Sequence, residues 1–289
     1  MRQYIEAMTL PPERTRMAHG GGPVALDKSR RSPAAALLRA TRRTLAGWAR
    51  AAGGPCVVCR GWCDGTLCAY CEARFAFARR RCDGCALPLA PDDADWAPAE
   101  AESAPDPSPR CARCRLAPPP WSRATAGVDY GHPWDRLLAE LKFHRRLDHV
   151  DALLRPLLAR LRASPGGLPP ELRLVAVPLA RERLRERGYN QSWEIARRAA
   201  RALGLVARPD ALFRVRDTGH QLGLQRAARA ANLQGAFVVT PAHAGWVRGA
   251  AVALVDDVLT TGATARAATR TLRAAGARDV QVWTLARTP

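Results

Sequence analysis

All nine cysteines of this 289-residue chain lie between Cys56 and Cys114. Eight of them form four Cys-x-x-Cys pairs: Cys56–Cys59, Cys68–Cys71, Cys82–Cys85 and Cys111–Cys114. One such turn brings two thiolates within reach of a single ion, and two turns complete a tetrahedron around zinc. The spacing therefore predicts two sites of four thiolates each. Sequential pairing is the simplest arrangement, Cys56/Cys59/Cys68/Cys71 and then Cys82/Cys85/Cys111/Cys114; interleaved pairing fits the spacing as well. Cys63 is left over. No open fourth position and no nearby Glu or His suggests a catalytic metal, so both zincs are expected to be structural. The N-terminal stretch has no continuous apolar core of the kind an export signal needs, so disulfides are not expected.

Charge is the second constraint. Lys and Arg total 45 against 26 acids, for a formal net charge of +19, and only Lys28 and Lys142 are lysines. Such an excess suits a polyanionic partner, either nucleic acid or a phosphorylated small molecule. No apolar run is long enough for a membrane-spanning helix. Apolar residues make up 47% and charged residues 25% of the chain, which places it among globular proteins.

Along the chain, residues 1–54 read as a basic disordered tail followed by one amphipathic helix, with Ser32 as N-cap and Pro33 at its first position. Residues 55–117 hold the cysteine module. It is interrupted at 91–109 by a segment with six acids, no base and five prolines, which is expected to be a disordered loop. From 121 to 289 strands and helices alternate. Strands are expected over 124–131, 173–178, 247–258 and 279–287, and helices over 134–144, 150–163, 191–204 and 263–276. This alternation predicts a mostly parallel sheet flanked by helices.

The most informative segment is Val252-Ala-Leu-Val-Asp-Asp-Val-Leu-Thr-Thr-Gly-Ala-Thr264. An apolar strand ends in two acids, Asp256 and Asp257, and passes through a Thr/Gly turn into a helix. Ligands of open α/β sheets sit at the carboxyl ends of strands. A turn at a helix N-terminus offers N–H groups and a favourable dipole to a phosphate, and the carboxylates can accept hydrogen bonds from sugar hydroxyls. A Walker B strand would need a partner phosphate loop with its lysine, and the chain has none. A second strand stops at Pro178 and delivers Arg181, Arg183, Arg185 and Arg187. The planar guanidinium suits pyrophosphate oxygens, and Arg183 and Arg187 are the candidates for that role. A third segment, 221–237, carries Arg226 and Arg229 on one helical side and reads either as a lid or as a surface helix.

The 252–264 segment resembles the phosphoribosyl pyrophosphate loop of type I phosphoribosyltransferases. That resemblance implies that Asp256 and Asp257 hold the ribose hydroxyls and that Thr260, Thr261, Gly262, Ala263 and Thr264 cradle the 5′-phosphate, with Mg²⁺ on the pyrophosphate and sugar. It also implies a catalytic set of Asp256, Asp257, Arg183 and Arg187, with Lys142 as a further source of charge. The Cys-x-x-Cys pairs followed by LKFH, VPLARERLRERGYNQ, QLGLQRAARAANLQGAF and VALVDDVLTTGATA are together similar to the ComF/ComFC competence proteins, a double zinc ribbon fused to a phosphoribosyltransferase-like domain. The family resemblance implies a cytoplasmic protein, with the inner face of the membrane as a candidate location. It implies handling of single-stranded DNA during transformation, with a DNA-uptake or helicase partner as a candidate. Two alternatives stand beside it: a nucleobase phosphoribosyltransferase of nucleotide salvage, and a non-catalytic sensor or scaffold that binds phosphoribosyl pyrophosphate.

Overall fold

Five parallel strands form the central sheet: β3 (Arg123–Asp129), β4 (Arg173–Ala176), β5 (Val206–Arg208), β8 (Ala251–Leu259) and β9 (Asp279–Arg287). Their order across the sheet is β3–β9–β8–β4–β5. The computed structural model describes residues 53–76, 79–89, 109–164, 166–215 and 235–289, all within one compact unit, Arg50–Pro289. The helix expected near residues 33–50, the acidic insertion apart from Pro109, and the candidate lid up to Gln234 lie outside the described residues.

Strand β8 sits at the centre because its first five residues are all apolar and can be covered on both faces. Its side chains alternate between two cores. Ala253 and Val255 join Leu153, Leu157, Ile195 and Ala199 on one face. Val252 and Leu254 join Ala265, Ala268 and Leu272 on the other. The first face is covered by α3 (Trp134–Phe143), α4 (His149–Arg162) and α6 (Gln191–Leu203), and the second by α8 (Ala263–Ala274). Helix α6 shows why the pattern works. Ile195, Ala196, Ala199 and Ala200 are buried along one stripe. The Asn190 side chain caps the first turn, and Gly204 ends the helix in the left-handed region.

One expectation is corrected, and two segments take a structure the sequence reading left open. The strand expected from residue 247 starts only at Ala251, because helix α7 (Pro241–Val247) runs into its apolar beginning and the chain turns at Gly249. The arginine-rich segment forms a short helix, α5 (Arg181–Arg187). The pairing of β6 (Leu212–Arg214) with β7 (Phe237–Val239) is antiparallel and stands apart from the main sheet.

The cysteine region contains β1 (Gly54–Pro55), β2 (Trp62–Cys63), α1 (Ala69–Phe75) and α2 (Ala112–Leu116). These elements are too short to stand alone, and they lean on the α/β core. Cys56, Val57, Leu67 and Cys71 belong to the same buried cluster as Trp134 and Leu137. The Trp134 indole donates to Phe75 O at 2.9 Å and Arg136 to Val57 O at 3.1 Å. Ala86, beside the second set of cysteines, joins the opposite core with Trp121. Among the described residues no helix is long and apolar enough to cross a membrane.

Candidate functional site

The carboxyl ends of β4 and β8 lie side by side, with Val175 paired to Leu254 and Ala176 to Val255. The alternation that sorts β8 into two cores continues through its acids. Asp257 is buried and lines a cleft of about 550 Å³ together with Lys142, Arg145, Arg183, Arg187 and Gln191. Asp256 lines a separate small cavity beneath Thr260, Gly262, Ala263 and Thr264.

The cleft is held by links between distant elements. Lys142 Nζ from the end of α3 lies 3.1 Å from Asp257 Oδ2. Gln191, the first residue of α6, donates to the same oxygen at 2.9 Å. Its amide oxygen accepts from Arg187 Nη1 at 2.5 Å. One chain of contacts thus joins the arginine helix to the buried carboxylate. Asn190 fixes both ends of the arginine segment: its amide donates to Val177 O at 3.0 Å while its oxygen caps α6. The Tyr189 hydroxyl donates to Leu141 O, next to Lys142. Arg183 and Arg187 both face the cleft, whereas Arg181 and Arg185 are not part of its lining. Four cations against Asp257 and Glu186 make the cleft suited to a polyanion.

Around Asp256 the arrangement differs. Its Oδ1 accepts from Ser192 Oγ and from the Asp257 N–H, each at 2.9 Å. Burial, followed by the neighbouring Asp257 charge, raises its pKa to about 7. Thr284 is paired with Asp256 in register across β9, and its buried hydroxyl lines the same small cavity without a hydrogen-bond partner among the described residues. The turn that follows brings Thr260 to the surface and opens α8 at Gly262, whose φ of +76° a side chain adopts at a cost.

The Asp256 shift has a consequence for stability. Between pH 4 and 7 the folded chain keeps a proton that the unfolded chain has released, so stability falls as pH rises through this window and levels off above it. The Asp256→Asn variant should lack this slope and should be more stable than wild type at pH 8 by ~1–3 kcal/mol. Denaturant titrations of both proteins at pH 5 and pH 8, without ligand, check this; equal slopes would contradict the assignment.

The eight paired cysteines come together as two groups, Cys56/Cys59/Cys68/Cys71 and Cys82/Cys85/Cys111/Cys114, with all sulfurs of a group within 4.8 Å of one another. The sequential arrangement is therefore the observed one. Zinc–sulfur bonds of ~2.3 Å place tetrahedral sulfurs roughly 3.8 Å apart. Cys59 and Cys68 are 3.7 Å apart at Sγ, and Cys85 and Cys111 are 3.8 Å apart. Backbone N–H groups point at the sulfurs: Cys68 at Cys56, Cys71 at Cys68, and Gly84 and Cys111 at Cys82. The Cys82 thiol is lowered to about 4, chiefly by its hydrogen bond with Cys85 and further by backbone N–H groups, against the effect of burial. Both donor sets fit a four-thiolate zinc ion. Cys63 is outside them, with its sulfur 3.5 Å from Gly65 O.

Comparison with known proteins adds the family. The DNA utilization protein YhgH of Salmonella typhi is 35% identical over 224 residues, covering 77% of this chain and 90% of its own. The chain belongs to the ComF/YhgH family. YhgH of Escherichia coli K12 is 34% identical over 62% of this chain and 78% of its own, and competence protein F of Haemophilus influenzae is 32% identical over 61% and 78%. No protein-family model matches. Among solved structures, the allosteric regulatory enzyme of purine biosynthesis is similar over 47% of this chain and 25% of its own, at 24% identity and a TM-score of 0.31. Within this ComF/YhgH chain, the sequence reading did not single out Gln191, Ser192, Arg145 or Thr284. A signal existed for the first two: they open α6 directly after its Asn190 cap.

Proposed function

We propose that this protein binds phosphoribosyl pyrophosphate with Mg²⁺ at the ends of β4 and β8, and that it serves the handling of single-stranded DNA. The observation that carries the ligand assignment is the buried Asp257, held by Lys142 and Gln191 at the floor of a cleft lined by arginines. In this reading Asp256 and Asp257 take the ribose hydroxyls. Residues 260–264 take the 5′-phosphate at the start of α8, and Arg183, Arg187 and Lys142 take the pyrophosphate. Mg²⁺, when bound with the ligand, would neutralise part of the pyrophosphate charge. The chain's own contribution is positioning and fixed positive charge, which favours a departing pyrophosphate as well as a bound one.

The DNA part of the proposal rests on the relatives, whose names speak of DNA utilization and competence, and on the net charge of +19. The cysteine region adds exposed aromatic surface in Trp62 and Tyr70. The Arg74 guanidinium lies 6.0 Å from the Tyr70 ring centroid, a pairing of cation and ring that suits unpaired bases. A zinc ion held by the Cys56/Cys59/Cys68/Cys71 group would fix that surface.

Titration calorimetry with phosphoribosyl pyrophosphate and Mg²⁺, combined with an assay for released pyrophosphate, tests the reading. Saturable binding that disappears in the Asp256→Asn/Asp257→Asn double variant is the expected result. Release on adding a nucleobase would make the protein a transferase; binding without release would make it a sensor. No binding by folded, zinc-loaded wild type would overturn the ligand assignment.

A further inference from the structure

The second four-cysteine group is joined to the 260–264 turn by two direct links. The first is Trp121, which is 4% exposed. Its indole N–H donates to Gly84 O at 2.7 Å, inside the Cys82–Cys85 knuckle. Its ring closes on the turn: a Cβ placed on Gly262 would lie 3.3 Å from Trp121 Cη2. The Arg266 guanidinium, one turn into α8, lies 5.3 Å from the ring centroid. The second link is Arg287, which is 8% exposed. Its Nε donates to Cys85 O at 2.7 Å, and its Nη1 donates to Leu259 O at 3.0 Å. Leu259 immediately precedes the turn. The knuckle therefore grips the turn at its entrance through Arg287 and at its middle, Gly262, through Trp121.

The knuckle backbone owes its shape to the sulfurs. Gly84 N–H donates to Cys82 Sγ at 3.3 Å, and a Cβ at Gly84 would lie 2.7 Å from the Cys114 Cβ. The two carbonyls that anchor the links, Gly84 O and Cys85 O, are thus aimed by the same residues that would surround the metal. A metal at this site fixes those carbonyls; its loss frees the knuckle and slackens both links.

We propose that the Cys82/Cys85/Cys111/Cys114 site controls the phosphate-binding turn, so that its metal occupancy sets the affinity of residues 260–264 for a phosphate. The proposal rests on the reading of that turn given above and adds its regulation. Trp121 and Arg287 are positioning residues: neither needs to touch the ligand. Coupling between two sites is reciprocal, so ligand in the turn must tighten zinc at the second site by the factor by which zinc tightens the ligand.

Two readouts on the full-length protein decide the matter. Ribose 5-phosphate is the calorimetric probe, and amide hydrogen exchange over 259–264 is the structural one. The Cys111→Ser variant removes a ligand that contacts neither link. With zinc reduced from two ions to one, it should bind the probe at least ~10-fold more weakly, within the usual range of coupling between sites. Its 259–264 amides should exchange faster while those of Arg173–Ala176 stay protected. The Trp121→Phe variant keeps zinc and a ring but loses the indole donor. It should show the same localised change at ~3–10-fold weaker binding, the loss of about one buried hydrogen bond. Ribose 5-phosphate should raise the zinc affinity of the second site in wild type. Unchanged exchange at 259–264 in both variants overturns the proposal, as does a loss of protection spread equally over the sheet. If Cys111→Ser fails to fold, Trp121→Phe decides the link and the zinc affinity of wild type with and without ribose 5-phosphate decides the metal coupling, an unchanged affinity overturning it. If wild type binds no ribose 5-phosphate, the ligand reading fails, and the exchange pattern still decides whether the second knuckle holds the turn.

Discussion

The Asp257→Asn variant is expected to lose at least ~100-fold in affinity for phosphoribosyl pyrophosphate, or about 3 kcal/mol. In the free protein Asp257 is held by two donors, Lys142 Nζ at 3.1 Å and Gln191 Nε2 at 2.9 Å, both on the same oxygen. Among the described residues neither of these contacts uses the other oxygen, which can receive a hydroxyl. An asparagine keeps the shape and removes the charge. One of its two arms is an NH₂ group, which must face either Lys142 and Gln191 or the incoming sugar hydroxyl. In the first case donor meets donor and the Arg187–Gln191 link is disturbed; in the second the sugar loses its acceptor. Neither orientation restores a charge-assisted bond, which is roughly twice as strong as a neutral one. Calorimetry on the single variant checks the figure. The folded state should lose only ~1 kcal/mol, because Lys142 keeps partial access to water and is not stranded in the interior. A 100-fold loss of binding with near-wild-type stability would mark Asp257 as a ligand contact. Near-wild-type binding would remove the cleft from the ligand assignment.

The contrast between the two acids shows how far the sequence could be read. The five-residue apolar run, the acidic pair and the Thr/Gly turn have local signatures, and these alone locate the edge of the sheet. The cysteine spacing likewise forecasts two groups of four. What spacing does not contain is which acid faces which core. Alternation along β8, with Ala253 and Val255 under α4 and α6 and Val252 and Leu254 under α8, gives the two acids different cavities, but both are held from the start of α6, by Ser192 and Gln191. The contacts that aim the acids span long loops: Gln191 to Asp257 crosses 66 residues and Lys142 to Asp257 joins separate elements. Contacts of that range leave no periodic trace. The misplaced start of β8 has a local cause. An apolar run reads alike in a helix end and a buried strand, and Val247 belongs to the former. The three-residue strands β5, β6 and β7 are too short for any period to be counted.

Zinc removal is expected to have the largest effect on the fold. The cysteine region has two-residue strands and helices of seven and five residues, far below the length at which a helix holds itself in water. Its apolar contribution is small, so the metal must supply what a core would supply elsewhere. Structural zinc sites in small modules contribute on the order of 10 kcal/mol of folding free energy. The loss would reach beyond the module. Cys56, Val57, Leu67 and Cys71 are buried with Trp134 and Leu137, and Arg155 donates from α4 to Leu67 O at 3.0 Å. Stripping the first site exposes one side of α3 and α4; stripping the second releases the contacts of Arg287 and Trp121 on the opposite face of the sheet. The protein should therefore contain two zinc ions per chain, one for each group of four sulfurs. Excess chelator should lower its melting temperature by at least ~10 °C, at about 2–4 °C for each kcal/mol in a unit of this size. Zinc restored under reducing conditions should recover the loss, and Cys63→Ser should still bind two ions because that sulfur lies outside both groups. Metal analysis alongside calorimetric melting gives the answer. A stoichiometry below two, or a melting temperature indifferent to chelation, would mean that the sulfurs pack as thiols and that the module is held by its contacts with α3, α4 and the β9 terminus alone.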